Sequence, residues 1–155
     1  MKAVAILNRV PLFQQLTTAE KTHIAESMSL FIHIPADDEF IRLGEQDDSF
    51  YVLLSGSALV LHSGEELTHV SAGNFVGETG FMGSNPRSAS VIAETDIIAL
   101  KFTRKTFQIL PSRVRETIKD HIIEGLVERV EELNLKIVKE IKAHRAAVTG
   151  NSEAE

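Results

Sequence analysis

The period of the apolar positions changes along the chain, and each change predicts a different element. Between Ala3 and Val10 they fall at Val4, Leu7 and Val10, the spacing of a short amphipathic helix, and Pro11 stops it. Thr17 and Glu20 have the spacing of a capping box, in which the hydroxyl and the carboxylate satisfy backbone N–H groups at the start of a helix that is expected to bury Ile24 and Met28. From Leu30 onward the pattern shortens to runs rich in β-branched and aromatic residues, at 30–34, 39–43, 50–54, 58–62, 66–70, 88–93 and 97–102. Turn sequences such as Pro35-Ala36-Asp37-Asp38, Ser55-Gly56 and Ser63-Gly64 separate them. Seven or eight closely spaced strands predict a mainly β fold with flanking helices, an antiparallel β-roll or jelly roll. The interior of such a small roll holds side chains or one small ligand.

Helical spacing returns after the strands. Thr103 reads as the cap of a short helix carrying Phe107 and Leu110, which Pro111 ends. A proline-free helical pattern then runs from Ser112 or Arg113 to about Arg145. At 1.5 Å per residue it is about 50 Å long, against a diameter of about 35 Å for a compact body of about 100 residues, so it is expected to reach beyond its own roll. Ile123, Leu126, Val130, Leu133 and Ile137 alternate spacings of three and four, a coiled-coil seam that predicts a parallel homodimer; packing on the chain's own roll is the alternative. Val114, Ile118 and Ile122 precede the seam and suit packing on the roll. The expected organisation is a roll with its N-terminal and hinge helices over 1–110, the long helix over 111–148, and a tail without order over 149–155.

Composition narrows the chemistry. With 155 residues, 43% of them hydrophobic, the chain can bury one real core. A net charge of −6 leaves no overall basic field, so nucleic acid is not an expected partner. Cysteine is absent, which excludes disulfides, thiolate-bound metals and cysteine nucleophiles, and fits an intracellular address. The apolar N-terminal stretch is interrupted by Asn8 and Arg9, too early for a membrane span or a signal peptide, so the expectation is a cytoplasmic protein with no membrane partner. His33, His62 and His69 lie in strands without the His-x-His and Glu spacing of a metal site. No nucleophile and base stand together, so no catalytic residue, metal or required cofactor is expected.

The most informative stretch is Gly73 to Val91, with four glycines, a carboxylate at Glu78 and a guanidinium at Arg87. Glycines permit close backbone approach, a helical turn opening at Gly77 would aim its positive end at an anion, and an arginine supplies forked donors with permanent charge. That is the outline of a phosphate site. Glu78 would repel a phosphate, so its carboxylate makes sense as the acceptor for a neighbouring hydroxyl, such as that of a sugar. Phosphate with ribose means a nucleotide.

Phe75-Val76-Gly77-Glu78-Thr79-Gly80-Phe81-Met82 followed by Pro86-Arg87-Ser88-Ala89-Ser90-Val91 resembles the phosphate-binding cassette of the cyclic nucleotide-binding domain family, the β-roll module of catabolite activator proteins, cyclic-nucleotide-dependent kinases and gated channels. Similarity extends to Phe50–Leu61, to the Leu43-Gly44 turn and to Pro11–Leu16, and so spans Pro11 to Phe107. The resemblance implies that Arg87 pairs with the cyclic phosphodiester and Glu78 accepts from the ribose hydroxyl. Val76, Gly77, Thr79, Ser88 and Ala89 would complete the cradle, with Thr79 standing where the family commonly has an apolar residue. Val60 and Leu67 would line the ribose and base, with Thr68 at the base edge, and Arg129, Glu132 or Asn134 of the long helix could close the pocket. The implied ligand is cyclic AMP or cyclic GMP, cyclic AMP favoured. The implied role is a stand-alone sensor that repositions its C-terminal helices and signals to an unidentified protein effector. The alternative is an interaction or scaffold protein of the same fold, with a pocket that is ligand-free or takes another small effector.

Overall fold

The computed structural model describes residues 2–83 and 85–154. Three helices open the chain: α1 (Lys2–Asn8), α2 (Pro11–Gln14) and α3 (Thr18–Glu26). Pro11, expected to end α1, is also the first residue of α2, where its missing N–H and fixed φ cost nothing. The capping box forms at α3, with Glu20 N–H donating to the Thr17 hydroxyl at 3.2 Å and Thr17 N–H to the Glu20 carboxylate at 2.7 Å.

The strands are β1 (Phe31–Ile34), β2 (Glu39–Ile41), β3 (Phe50–Ser55), β4 (Ser57–His62), β5 (Glu65–Ser71), β6 (Phe75–Val76), β7 (Ser90–Ala93) and β8 (Ile97–Phe102). They follow the expected runs except β6, which is too short to show a period. All pairings are antiparallel, in two four-stranded sheets of order β1-β8-β3-β6 and β2-β7-β4-β5. The core lies between the sheets. Ile34, Tyr51, Leu53, Ile97 and Ala99 come from the first sheet, and Ile41, Ala58, Val70, Val91 and Ala93 from the second.

Strand β3 is buried along Phe50 to Leu54, because it is covered on both faces. Tyr51 and Leu53 face the other sheet, whereas Phe50 faces the helices α4 (Glu78–Met82) and α5 (Arg104–Gln108). Its ring lies 4.7 Å from that of Phe81 on α4, 5.1 Å from Phe102 on β8 and 5.8 Å from Phe107 on α5. Thr103 caps α5 as expected, accepting from Thr106 N–H at 3.1 Å.

The last helix, α6 (Ser112–Ala154), runs further than its expected end, through the segment from residue 149 that was expected to lack order. No proline interrupts it, and Gly150 alone costs a helix only about 1 kcal/mol. The chain divides into two compact units, one running to Lys119 and one from Asp120. The first takes in the opening turns of α6, where Val114 and Ile118 are fully buried. Arg113 also ties this end of α6 to the N-terminal helices, donating to the Glu20 carboxylate and the Gln15 carbonyl, both at 3.2 Å.

The four-ring cluster is the joint between the sheet and the two short helices, so Phe50→Ala is expected to cost about 3–5 kcal/mol in denaturant unfolding. A loss under about 1 kcal/mol would show that the cluster does not hold this joint.

Candidate functional site

The site is built where the chain leaves one sheet and enters the other. Val76 ends β6 with its side chain in the core, and β7 begins two residues after Ser88, so the segment between them bridges the sheets. At Gly77 φ is 91°, a left-handed conformation that a side chain resists. A Cβ there would also lie 2.9 Å from the Ser49 carbonyl and 3.1 Å from Arg87 Nη1. Gly77 thus turns the chain sharply and caps α4, which begins at Glu78. Glu78 is buried and Thr79 exposed.

Arg87 is only 3% exposed, an unusual place for a guanidinium. Nη1 donates to the Gly77 carbonyl at 2.7 Å, and Nη2 donates to the Ser49 carbonyl and lies 3.4 Å from Asp47 Oδ2. Its backbone is pinned too. Arg87 N–H donates to the Glu45 carbonyl at 2.9 Å, and Gly44 N–H donates to the Arg87 carbonyl at 2.8 Å. The Nε–H remains buried with no hydrogen-bond partner among the described residues. Gly80 leaves room for this packing, since a methyl there would collide with the guanidinium and approach the Asp47 carbonyl to 2.7 Å. Burial opposes charge on Asp47, but hydrogen bonds from Ser49 and the nearby guanidinium outweigh it and hold its carboxyl below the usual range.

The remaining expected residues fall on the second sheet and on α6. Ser88 is exposed and Ala89 half-buried just before β7. Val60 on β4 pairs with Val91 of β7 on one side and with Thr68 of β5 on the other, and packs against the core. The register then slips, because Leu61 pairs with Glu66, which leaves Leu67 as an extra, half-exposed residue at a bulge. The residues expected at the phosphate and those expected at the base therefore meet through β7. Arg129 belongs to the second unit, on α6.

Sequence reasoning missed Asp47 and Ser49, the acceptors that orient Arg87. They lie in a polar loop about forty positions away in the chain, and no local spacing links them to the arginine. A polar cavity of about 400 Å³ opens beside them, lined by Gln46, Asp47, Asp48, Gly80, Gly83, Asn85 and Arg104. None of the expected ligand contacts lines it. Arg104 Nη2 donates to the Phe81 carbonyl at 2.9 Å, and the Phe81 and Phe107 rings lie 5.1 Å apart, so α4 and α5 are coupled through both polar and apolar contacts.

Comparison with known proteins gives this geometry a family. The chain is 36% identical over 128 residues to a cAMP-dependent protein kinase regulatory subunit of Colletotrichum orbiculare, covering 79% of this chain and 32% of that protein. It is 34% identical over 118 residues to a cyclic nucleotide-gated potassium channel of Rhizobium etli, covering 74% of this chain and 33% of the channel. The chain thus spans about a third of the length of these relatives. Among solved structures, a cyclic nucleotide-binding domain from Methylobacillus flagellatus superposes with a TM-score of 0.68 at 20% identity, covering 84% of this chain and 78% of that one, a likeness of fold. The model of the cyclic nucleotide-binding domain matches residues 31–113, more than half of the chain and the whole of the cassette. By that match, and by the buried arginine and left-handed glycine at its centre, this chain belongs to the cyclic nucleotide-binding domain family.

Proposed function

We propose that the chain is a non-catalytic cytoplasmic sensor that binds a cyclic nucleotide, cyclic AMP in preference to cyclic GMP, and passes the event to a protein effector. The observation that carries this reading is Arg87. A guanidinium buried to this degree keeps its Nε–H without an acceptor among the described residues, at a point where the chain turns into α4. An orphan donor of this kind is costly unless something accepts from it, and the oxygen of a phosphodiester is the acceptor its charge favours. Glu78 would take the ribose hydroxyl, with Val76, Gly77, Thr79, Ser88 and Ala89 around the phosphate and Val60, Leu67 and Thr68 toward the base. The preference for cyclic AMP is supported by relatives named as cAMP-dependent kinase subunits.

Coupling would run through α4. A ligand held by Glu78 and Arg87 bears on both ends of the cassette, and any shift of α4 moves Phe81 against Phe107 and Arg104 on α5. The ligand can bias α5 only by its difference in affinity for the two positions. The exposed apolar face of α6, which carries Ile123, Val130, Leu133 and Ile137, is proposed to join two copies of the chain, with Leu126 beside them.

A second reading has its own support. Two donors of Arg87 are engaged by carbonyls and its charge is faced by Asp47, so the arginine could hold the fold together in a scaffold protein whose pocket takes no nucleotide.

Calorimetric titration separates the two. The sensor reading expects cyclic AMP to bind in the micromolar range or tighter, with cyclic GMP weaker, and Arg87→Ala to weaken binding by about two to four orders of magnitude. A folded chain with no heat from either nucleotide would leave the scaffold reading, and unchanged affinity in Arg87→Ala would remove the arginine from the site. Gly80→Ala, which must displace the guanidinium, is expected to weaken cyclic AMP binding in the same titration while the chain keeps its fold by circular dichroism. Full affinity in that variant would mean that the observed arginine position is not the one the ligand uses.

A further inference from the structure

The chain is acidic as a whole, yet its basic residues are not spread evenly. Of its 16 lysines and arginines, six fall between Lys101 and Lys119, against one acidic residue, Glu116, so a stretch of positive charge sits in a chain of net charge −6. Two of the six are engaged. Arg113 donates to Glu20 and Gln15, and Lys101 Nζ lies 5.8 Å from the ring centre of Tyr51, its cross-strand neighbour. The other four, Arg104 and Lys105 on α5 and Arg115 and Lys119 on α6, form no ion pair among the described residues. Phe107 gathers three of them. Lys119 Nζ lies 5.9 Å from the centre of its ring, Arg115 is one helical turn before Lys119, and Arg104 reaches the carbonyl of Phe81, whose ring centre is 5.1 Å from that of Phe107. Lys105 follows Arg104 along α5, and all four belong to the first compact unit.

We infer that this basic surface at the junction of α5 and α6 docks an acidic segment of a partner protein. The inference gives a chemistry to the protein effector proposed above and is independent of the nucleotide. Cations gathered this closely repel one another, and a carboxylate-rich partner relieves that repulsion. Arg115 points the same way. Arg113 and Arg87 each have a carbonyl and a carboxylate to face, whereas half-buried Arg115 has its Nε–H enclosed with no hydrogen-bond partner among the described residues. An arginine held so is costly unless a partner supplies acceptors. Two features favour a protein over other polyanions. Ile109, at the C-terminal end of α5 and four residues after Lys105, is 77% exposed, and an apolar side chain can cover it where a phosphate backbone cannot. Asp47 and Asp48 line the same polar cavity as Arg104, so carboxylates border the basic surface on the cassette side. A nucleic acid or an anionic membrane extends past a surface of this size and would meet those carboxylates, whereas a short acidic segment ends within it.

Fluorescence anisotropy of a short labelled peptide of glutamates and leucines, titrated with the unaltered chain without nucleotide, measures the docking. The peptide is expected to bind with a dissociation constant of about 100 μM or tighter, and to lose affinity as sodium chloride is raised. Lys105→Glu combined with Lys119→Glu, both at exposed positions, should weaken binding by about 10-fold or more, and Arg115→Gln by about 3-fold or more. Lys139→Glu combined with Lys142→Glu, exposed on the later turns of α6, should change it by less than about 2-fold. Circular dichroism of each variant separates lost docking from a lost fold. No binding by the unaltered chain, or an equal loss in the two paired variants, would overturn the inference. Tighter binding of single-stranded DNA or of phosphatidylserine vesicles than of the peptide would overturn the protein partner and put a nucleic acid or a membrane in its place. Each of these outcomes leaves the cyclic AMP titration untouched, so failure of this inference and failure of the sensor reading are told apart.

Discussion

The burial of one guanidinium constrains the site more than any other interaction. Arg87 can sit at 3% exposure only because carbonyls from two distant segments, Gly77 and Ser49, accept its donors and Asp47 faces its charge. Taking a charge out of water is expensive, and the surrounding structure must supply acceptors to offset it. That requirement fixes the glycines. Gly77 must be left-handed to turn its carbonyl toward the arginine, and Gly80 must lack a side chain to let the guanidinium pass. The same arginine pins the Gly44–Glu45 turn to the cassette through its backbone, so the site and the closure of the roll share one set of contacts.

From that centre the architecture follows outward. The two sheets are joined by the cassette, which leaves the first at Val76 and enters the second at Ser90. On the outer face of the first sheet, the rings of Phe50, Phe81, Phe102 and Phe107 tie the cassette helix to the helix that follows the roll. A ligand held at the cassette, as proposed, would pull on a packed aromatic joint. Packed joints move between discrete arrangements more readily than they deform, which is the property the proposed sensor needs.

Much of this was legible in the sequence because it is encoded locally. The capping boxes at Thr17 and Thr103, the turn residues between strands and the Gly77-Glu78 and Pro86-Arg87 pairs are short-range signals with direct physical meaning. What escaped is what locality cannot carry. The acceptors Asp47 and Ser49 meet Arg87 only when two sheets close, and β6 is two residues long. Pro11 was ambiguous because the same ring that ends one helix opens the next. The bulge at Leu67 depends on cross-strand register, which the alternation of one strand does not specify. The residues after Thr149 are polar and read as a tail, and no breaker other than Gly150 stands in the stretch that α6 covers to Ala154.

The buried Nε–H of Arg87 is proposed to be a ligand donor and not a structural remnant. Its most direct test is the nitrogen-15 resonance of that Nε–H, assigned by its loss in Arg87→Lys and followed through a titration with cyclic AMP. The proton signal should move downfield and saturate together with binding, as a charge-assisted hydrogen bond to a phosphate oxygen forms. Binding that saturates while the Arg87 signal stays in place would contradict it, and so would a signal that does not respond at any concentration.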